Sequence, residues 1–160
     1  MADESLLQGK KILIVDDEAD VLETLEDLLD TCEVIKASNY DEAKNHLESQ
    51  SFDMAIFDIM GVNGFELLKI ANEKKITAIM LTAYALSPEN TEKAYNMGAA
   101  SYVPKEKIAE ISTYLIDVLK AQEEGKHSWW RWLDRFGSLY DKKFGASWRE
   151  KHKKIGKIDD

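Results

Sequence analysis

The stretch KKILIVDD at residues 10–17 decides the fold. Ile12 to Val15 run without a polar break into Asp16 and Asp17, the pattern of a strand buried on both faces whose end meets solvent or a ligand. Four further runs read the same way: EVIKA at 33–37, FDMAIFD at 52–58, ITAIMLT at 76–82 and ASYVPK at 100–105. Amphipathic stretches separate them at 19–31, 39–50, 64–74, 88–97 and 106–122. Val21, Leu22, Leu25, Leu28 and Leu29 show the three- and four-residue spacing of the first. Ser87-Pro88 marks one helix start, a capping hydroxyl followed by a residue that needs no amide partner, and Met97-Gly98 marks its end. Strands alternating with helices predict an α/β fold, a parallel sheet covered by helices on both faces.

In such a sheet ligands bind beyond the carboxyl ends of the strands. Asp16 and Asp17, Asp58, Thr82 and Lys105 occupy four of those ends, and all are residue types that phosphoryl chemistry uses. Each residue alone has a plainer reading. Asp16 or Asp17 would cap the next helix, Asp58 would be a loop carboxylate, Thr82 an ordinary strand former and Lys105 a solvated charge. Their joint occurrence at four strand ends favours a shared site.

Composition sets the outer limits. A chain of 160 residues with 44% apolar content is long enough for one well-buried core. The net charge of −9 is unevenly spread, with 11 Lys+Arg against 25 Asp+Glu in residues 1–124 (−14) and 10 against 5 in residues 125–160 (+5). That asymmetry predicts a globular domain over 1–124 and an appendage over 125–160. Cys32, the single cysteine, permits no intramolecular disulfide and reads as a small buried hydrophobe. No apolar run reaches transmembrane length and no basic-then-apolar leader opens the chain, so the expectation is a cytoplasmic protein without a transmembrane segment. His46, His127 and His152 lack metal-ligand spacing, and no glycine-rich phosphate loop is present.

With those motifs in view, residues 10–122 resemble the receiver domain of two-component response regulators. In that family an acidic pair ends the first strand (here IVDDE), the phosphoacceptor aspartate ends the third (FDIM), Ser or Thr ends the fourth (LTAY) and Lys ends the fifth (YVPK). The resemblance implies a doubly wound, flavodoxin-like sheet of five parallel strands in the order 2-1-3-4-5 with five helices. It implies Asp58 as phosphoacceptor with Thr82 and Lys105 assisting, and Mg²⁺ as cofactor. Asp17, Asp58 and the backbone carbonyl of Met60 would ligate the ion, with Asp16 acting largely through water. The electrostatics agree, because three crowded carboxylates repel one another unless a hard, oxygen-seeking cation intervenes. Tyr102 would switch rotamer with Thr82 and remodel the face formed by the fourth helix, fifth strand and fifth helix. The implied partners are a sensor histidine kinase or phosphotransfer protein and a downstream protein, and the chain would be no enzyme beyond its own phosphoryl transfer and loss.

Two departures from the family's pattern stand out. The segment DIMGVNG is two residues shorter than the usual Asp-x-Met-x-Pro loop, with Gly64 only six residues after Asp58. Because the shortening falls after Met60, its carbonyl is expected to keep its place. Glu106 follows Lys105 where a proline in a cis peptide is common, so a trans bond or a shifted turn is expected.

The tail carries all four tryptophans. Trp129, Trp132, Leu133, Phe136, Tyr140, Phe144 and Trp148 recur mostly at helical steps, and Ser147 to Glu150 forms a capping-box pattern, which predicts short helices. About 35 residues are too few for a helix-turn-helix or winged output domain, so DNA binding is not expected. Packing of this aromatic stripe on the receiver, a homodimer, a partner protein, and nucleic acid or an anionic membrane surface met through RWLDR and REKHKK are its competing uses. The main expectation is a stand-alone response regulator. The competing class is a constitutive interaction module that uses the tail without phosphorylation.

Overall fold

The computed structural model describes residues 4–83, 87–125 and the isolated positions 137, 141, 142 and 145. The expected tail contacts at Trp129, Trp132, Phe136, Tyr140, Phe144 and Trp148 lie outside the described residues.

Five strands, β1 (Lys11–Val15), β2 (Glu33–Ala37), β3 (Met54–Asp58), β4 (Thr77–Thr82) and β5 (Ser101–Pro104), form one parallel sheet in the order β2-β1-β3-β4-β5. The expected order is therefore observed. Five helices alternate with them: α1 (Ala19–Leu28), α2 (Tyr40–Ser49), α3 (Gly64–Glu73), α4 (Pro88–Asn96) and α5 (Ile111–Glu124). Every residue of β3 is buried, as a central strand covered by helices on both sides requires, whereas the edge strand β2 is buried only at Ala37. Ile12, Leu13, Ile14, Met54, Ile56 and Phe57 form the middle of the core, and Leu25, Leu29 and Leu47 close over it from α1 and α2.

Local chemistry sets the helix ends. Asn39 accepts from the Glu42 amide at 2.9 Å while Glu42 accepts from the Ser38 amide at 2.9 Å, a reciprocal cap at the start of α2. Ser87 accepts from the Asn90 amide at 3.2 Å with Pro88 opening α4, as its sequence predicts. After Met97 the chain turns at Gly98 (φ 88°), where a β-carbon would press within 3.0 Å of Asn72 of α3. Cys32 is half-buried, donates to the Leu7 carbonyl at 3.3 Å, and its thiol pKa is raised by that burial.

Two boundaries differ from the sequence reading. Helix α1 ends at Leu28, short of residue 31. The last helical stretch opens as a 3₁₀ segment, Lys105–Glu110, with Lys107 off helical geometry (φ −105°, ψ 15°), before α5 proper. No peptide bond is cis among the described residues, so Lys105 to Glu106 is trans as expected.

Candidate functional site

The sheet order sets β1 beside β3, and their register pairs Val15 with Phe57. Asp16 and Asp58 each follow these paired residues, so both carboxylates emerge at the same edge. Thr82 pairs with Pro104 at the far side, which delivers Lys105 one residue beyond it. Asp16 (0% exposed), Asp58 (4%) and Thr82 (3%) are buried polar residues at the carboxyl ends of their strands. Asp17 is exposed at the rim.

Lys105 ties the pocket together. Its ammonium lies 2.8 Å from Asp16 Oδ2, 3.4 Å from Asp58 Oδ1 and 3.0 Å from Glu18 Oε1. Burial works to lower its pKa, but the Asp16 and Glu18 carboxylates outweigh that and hold it above the usual lysine range. Asp58 responds in the opposite sense: burial first, then the Asp16 charge, lift its pKa to about 6, with Lys105 opposing. Burial also raises Asp16, against Lys105 and the Glu18 amide, which donates to Asp16 Oδ1 at 2.9 Å. Asp16 thus holds the chain entering α1 as well as the lysine, so its capping and site readings are both partly met.

Thr82 stands beside Tyr102, whose ring is fully buried. Burial pushes the Tyr102 phenol up to about 12, offset in part by the Thr82 and Thr91 hydroxyls next to it. Thr91 lies on α4 with its own hydroxyl bonded to the Ser87 carbonyl at 2.6 Å. The Thr82, Tyr102 and Thr91 hydroxyls therefore lie side by side between the pocket and the first turn of α4.

The β3–α3 turn takes a form its sequence did not reveal. The Met60 carbonyl, expected on the metal, accepts hydrogen bonds from the Val62 amide and, at 3.1 Å, from the Asn63 amide. Asn63 adopts the left-handed region (φ 57°, ψ 51°), a conformation asparagine tolerates, and turns the chain directly into α3. A β-carbon on Gly64 would fall 2.2 Å from the Asp58 carbonyl oxygen, so this close approach requires glycine. Met60's side chain is left 59% exposed.

The chemistry of this donor set fits a hard divalent cation. Carboxylate oxygens of Asp16, Asp17 and Glu18 lie within 4.8 Å of one another, with Asp58 joined to Asp16 through Lys105. The carboxylates fit; the Met60 carbonyl, as it is oriented, is engaged elsewhere. Two residues important to the pocket were not singled out from sequence: Glu18, the third acid of VDDE, and Gly61, in the short turn.

Comparison with known proteins agrees with this geometry. A family model described as "Response regulator receiver domain" matches residues 12–115. The chain belongs to the response regulator receiver domain family. It is 31% identical over 119 residues to response regulator GtcR of Aneurinibacillus migulanus, covering 67% of this chain and 48% of that protein. It is 41% identical over 99 residues to heme response regulator HssR of Staphylococcus saprophyticus, covering 58% and 43%. The chain spans less than half the length of these curated relatives. Among solved structures, the CheY-like receiver domain protein from Methanospirillum hungatei superimposes with a TM-score of 0.65 at 30% identity, over 74% of this chain and 99% of that one. Receiver domains of this family serve phosphorelay signalling, generally bind Mg²⁺ at an acidic pocket and work with a histidine kinase or phosphotransfer partner. Among the described residues, no helix is long and apolar enough to cross a membrane.

Proposed function

We propose that Asp58 accepts a phosphoryl group from a sensor histidine kinase, a phosphotransfer protein or a small phosphodonor, and that the modified pocket signals through the face formed by α4, β5 and α5. The observation that carries this reading is the convergence of Lys105 on Asp16 and Asp58 at adjacent strand ends. With its pKa near 6, the Asp58 carboxyl is mostly ionised at neutral pH and so available as a nucleophile, while burial keeps it poorly solvated. An Oδ of Asp58 attacks phosphorus as the donor's bond to phosphorus breaks. Lys105 is near enough to move from Asp58 Oδ1 to a phosphoryl oxygen, and the Thr82 hydroxyl donates to another. Magnesium, when bound by the aspartates, supplies neutralisation of charge on the transferring oxygens.

The readout follows from the hydroxyls. If Thr82 turns towards the phosphoryl group, Tyr102 loses a neighbour, and Thr91 carries the change to the start of α4. This chemistry is confined to gain and loss of the chain's own phosphoryl group, so the protein is not an enzyme for external substrates. A cytoplasmic location follows from such partners.

The test is intact mass after incubation with Mg²⁺ and acetyl phosphate or phosphoramidate, on the wild type and Asp58→Asn. One phosphoryl adduct on the wild type and none on the variant is expected. An equal adduct on both removes Asp58 from the role.

A further inference from the structure

The contracted β3–α3 turn leaves separate marks on the two sides of the pocket. On one side, the Met60 carbonyl accepts from the Asn63 amide at 3.1 Å within its own turn, with the Val62 amide also close against it. On the other, the backbone of Gly61 is laid against the carboxylate of Asp17. A β-carbon there would sit 2.5 Å from Asp17 Cγ, 2.5 Å from Oδ2 and 2.6 Å from Oδ1. These are positions that no side chain can share with the carboxyl group.

We infer that in this chain the short turn withdraws the Met60 carbonyl from the magnesium site and makes Gly61 the positioning residue for Asp17, leaving carboxylates and water to hold the ion. The inference rests on the phosphoacceptor reading of the same pocket. A carbonyl held against the amides of its own turn reaches a cation only by giving up the Asn63 hydrogen bond and reopening the turn. Magnesium keeps several waters and needs only one or two carboxylates, so the loss of one neutral ligand is met by water while the charge at the site is unchanged. Gly61 is needed for a different reason. Asp17 is exposed and its side chain is free to rotate outward, so a methyl group at position 61 displaces the ligand and leaves the fold in place.

The probe is Mg²⁺ itself, titrated without phosphodonor into the full chain and followed by calorimetry and by ¹³C and ¹⁵N NMR. Gly61→Ala is expected to keep the wild-type melting temperature within a few degrees while its Mg²⁺ affinity falls by about tenfold or more. In the wild type the carboxyl signals of Asp17 and Asp58 are expected to move on titration. The Met60 carbonyl signal stays, and the Val62 and Asn63 amides keep their protection from exchange. Wild-type affinity in Gly61→Ala, or a shifting Met60 carbonyl with newly exchanging Val62 and Asn63 amides, overturns the inference but leaves the phosphoacceptor reading standing. A wild type that binds no Mg²⁺ removes both. Should Gly61→Ala not fold, the Met60 signal in the wild type decides by itself.

Discussion

Two connections flank Asp58, and both depart from the pattern common in receiver domains: the β3–α3 turn by its length, the β5–α5 connection by Glu106 in place of proline. They absorb the change differently. Beyond β5 the strand register is intact, Thr82 still pairs with Pro104, and Lys105 leaves the sheet where it reaches both Asp16 and Asp58. The irregularity is passed downstream to Lys107, whose ammonium lies 3.9 Å from Glu110 of the same segment. Beyond β3 there is no spare length, so the adjustment falls on the backbone at once: the Met60 carbonyl turns inward, Asn63 goes left-handed, and Gly61 and Gly64 press on Asp17 and Asp58. A substitution at constant length preserves side-chain donors. A deletion next to a strand end is taken up by backbone donors and acceptors, and only glycine fits where they crowd.

The strongest way to break this contrast is Gly64→Ala. Its β-carbon would meet the Asp58 carbonyl oxygen, a backbone atom that cannot rotate away, so β3 or α3 must shift. A loss on the order of 4 kcal/mol is expected in urea unfolding, since relieving such a clash needs large angular strain or displaced core side chains. Gly61→Ala, three positions earlier and facing the exposed Asp17 side chain, is expected to lose less than about 1 kcal/mol. Equal losses in the two variants would mean that the crowding is no different at the two glycines.

Titration separates the two walls by charge. Asp58 has its pKa raised from 3.8 to about 6, so the folded chain holds this proton more tightly than the unfolded chain does. The stabilisation is fully present below about pH 4 and is lost as the pH rises through about 6. It amounts to at most about 3 kcal/mol. Asp58→Asn removes this dependence, so the variant is expected to overtake the wild type in stability as the pH rises from 4 to 8, in unfolding curves measured without divalent cations. Parallel curves for the two proteins would show that Asp58 does not carry the unfavourable buried charge.

The parts of this arrangement that were legible share one property. Parallel strands buried on both faces read as short apolar runs, so their ends are visible in the sequence, and Asp16, Asp58, Thr82 and Lys105 sit on those ends. The chain order of the strands and the family resemblance supplied the rest of the sheet. Tyr102 was visible as a strand-5 aromatic, but the two-residue period of a strand tells which face a ring occupies, not which rotamer it takes. The shortened loop was visible too. Where the Met60 carbonyl finds its amide partners depended on the backbone path of the turn, which residue identities do not encode. Glu18 was hidden for another reason: an exposed acid at a helix start is the commonest solvated charge, and only the distance to Lys105 sets it apart.

That distance sets up the smallest expected effect. The two carboxylates nearest Lys105 differ in character, Asp16 with no exposed side-chain surface and Glu18 with 59% of its side chain exposed. Water screens the outer pair and not the inner one, so Glu18→Gln is expected to cost no more than about 1 kcal/mol in urea unfolding. The inner pair keeps the lysine in the pocket, and phosphoryl uptake from acetyl phosphate should be retained. The outer carboxylate nevertheless competes with a phosphoryl oxygen for the same ammonium. Its removal is expected to free one donor on Lys105 and lengthen the life of the phosphorylated state, read as the decay of the mass adduct after the phosphodonor is removed. A faster decay in Glu18→Gln would mean that Glu18 steadies the lysine in its working position, and the β5 wall would then depend on an exposed residue as much as the β3 wall depends on its glycines.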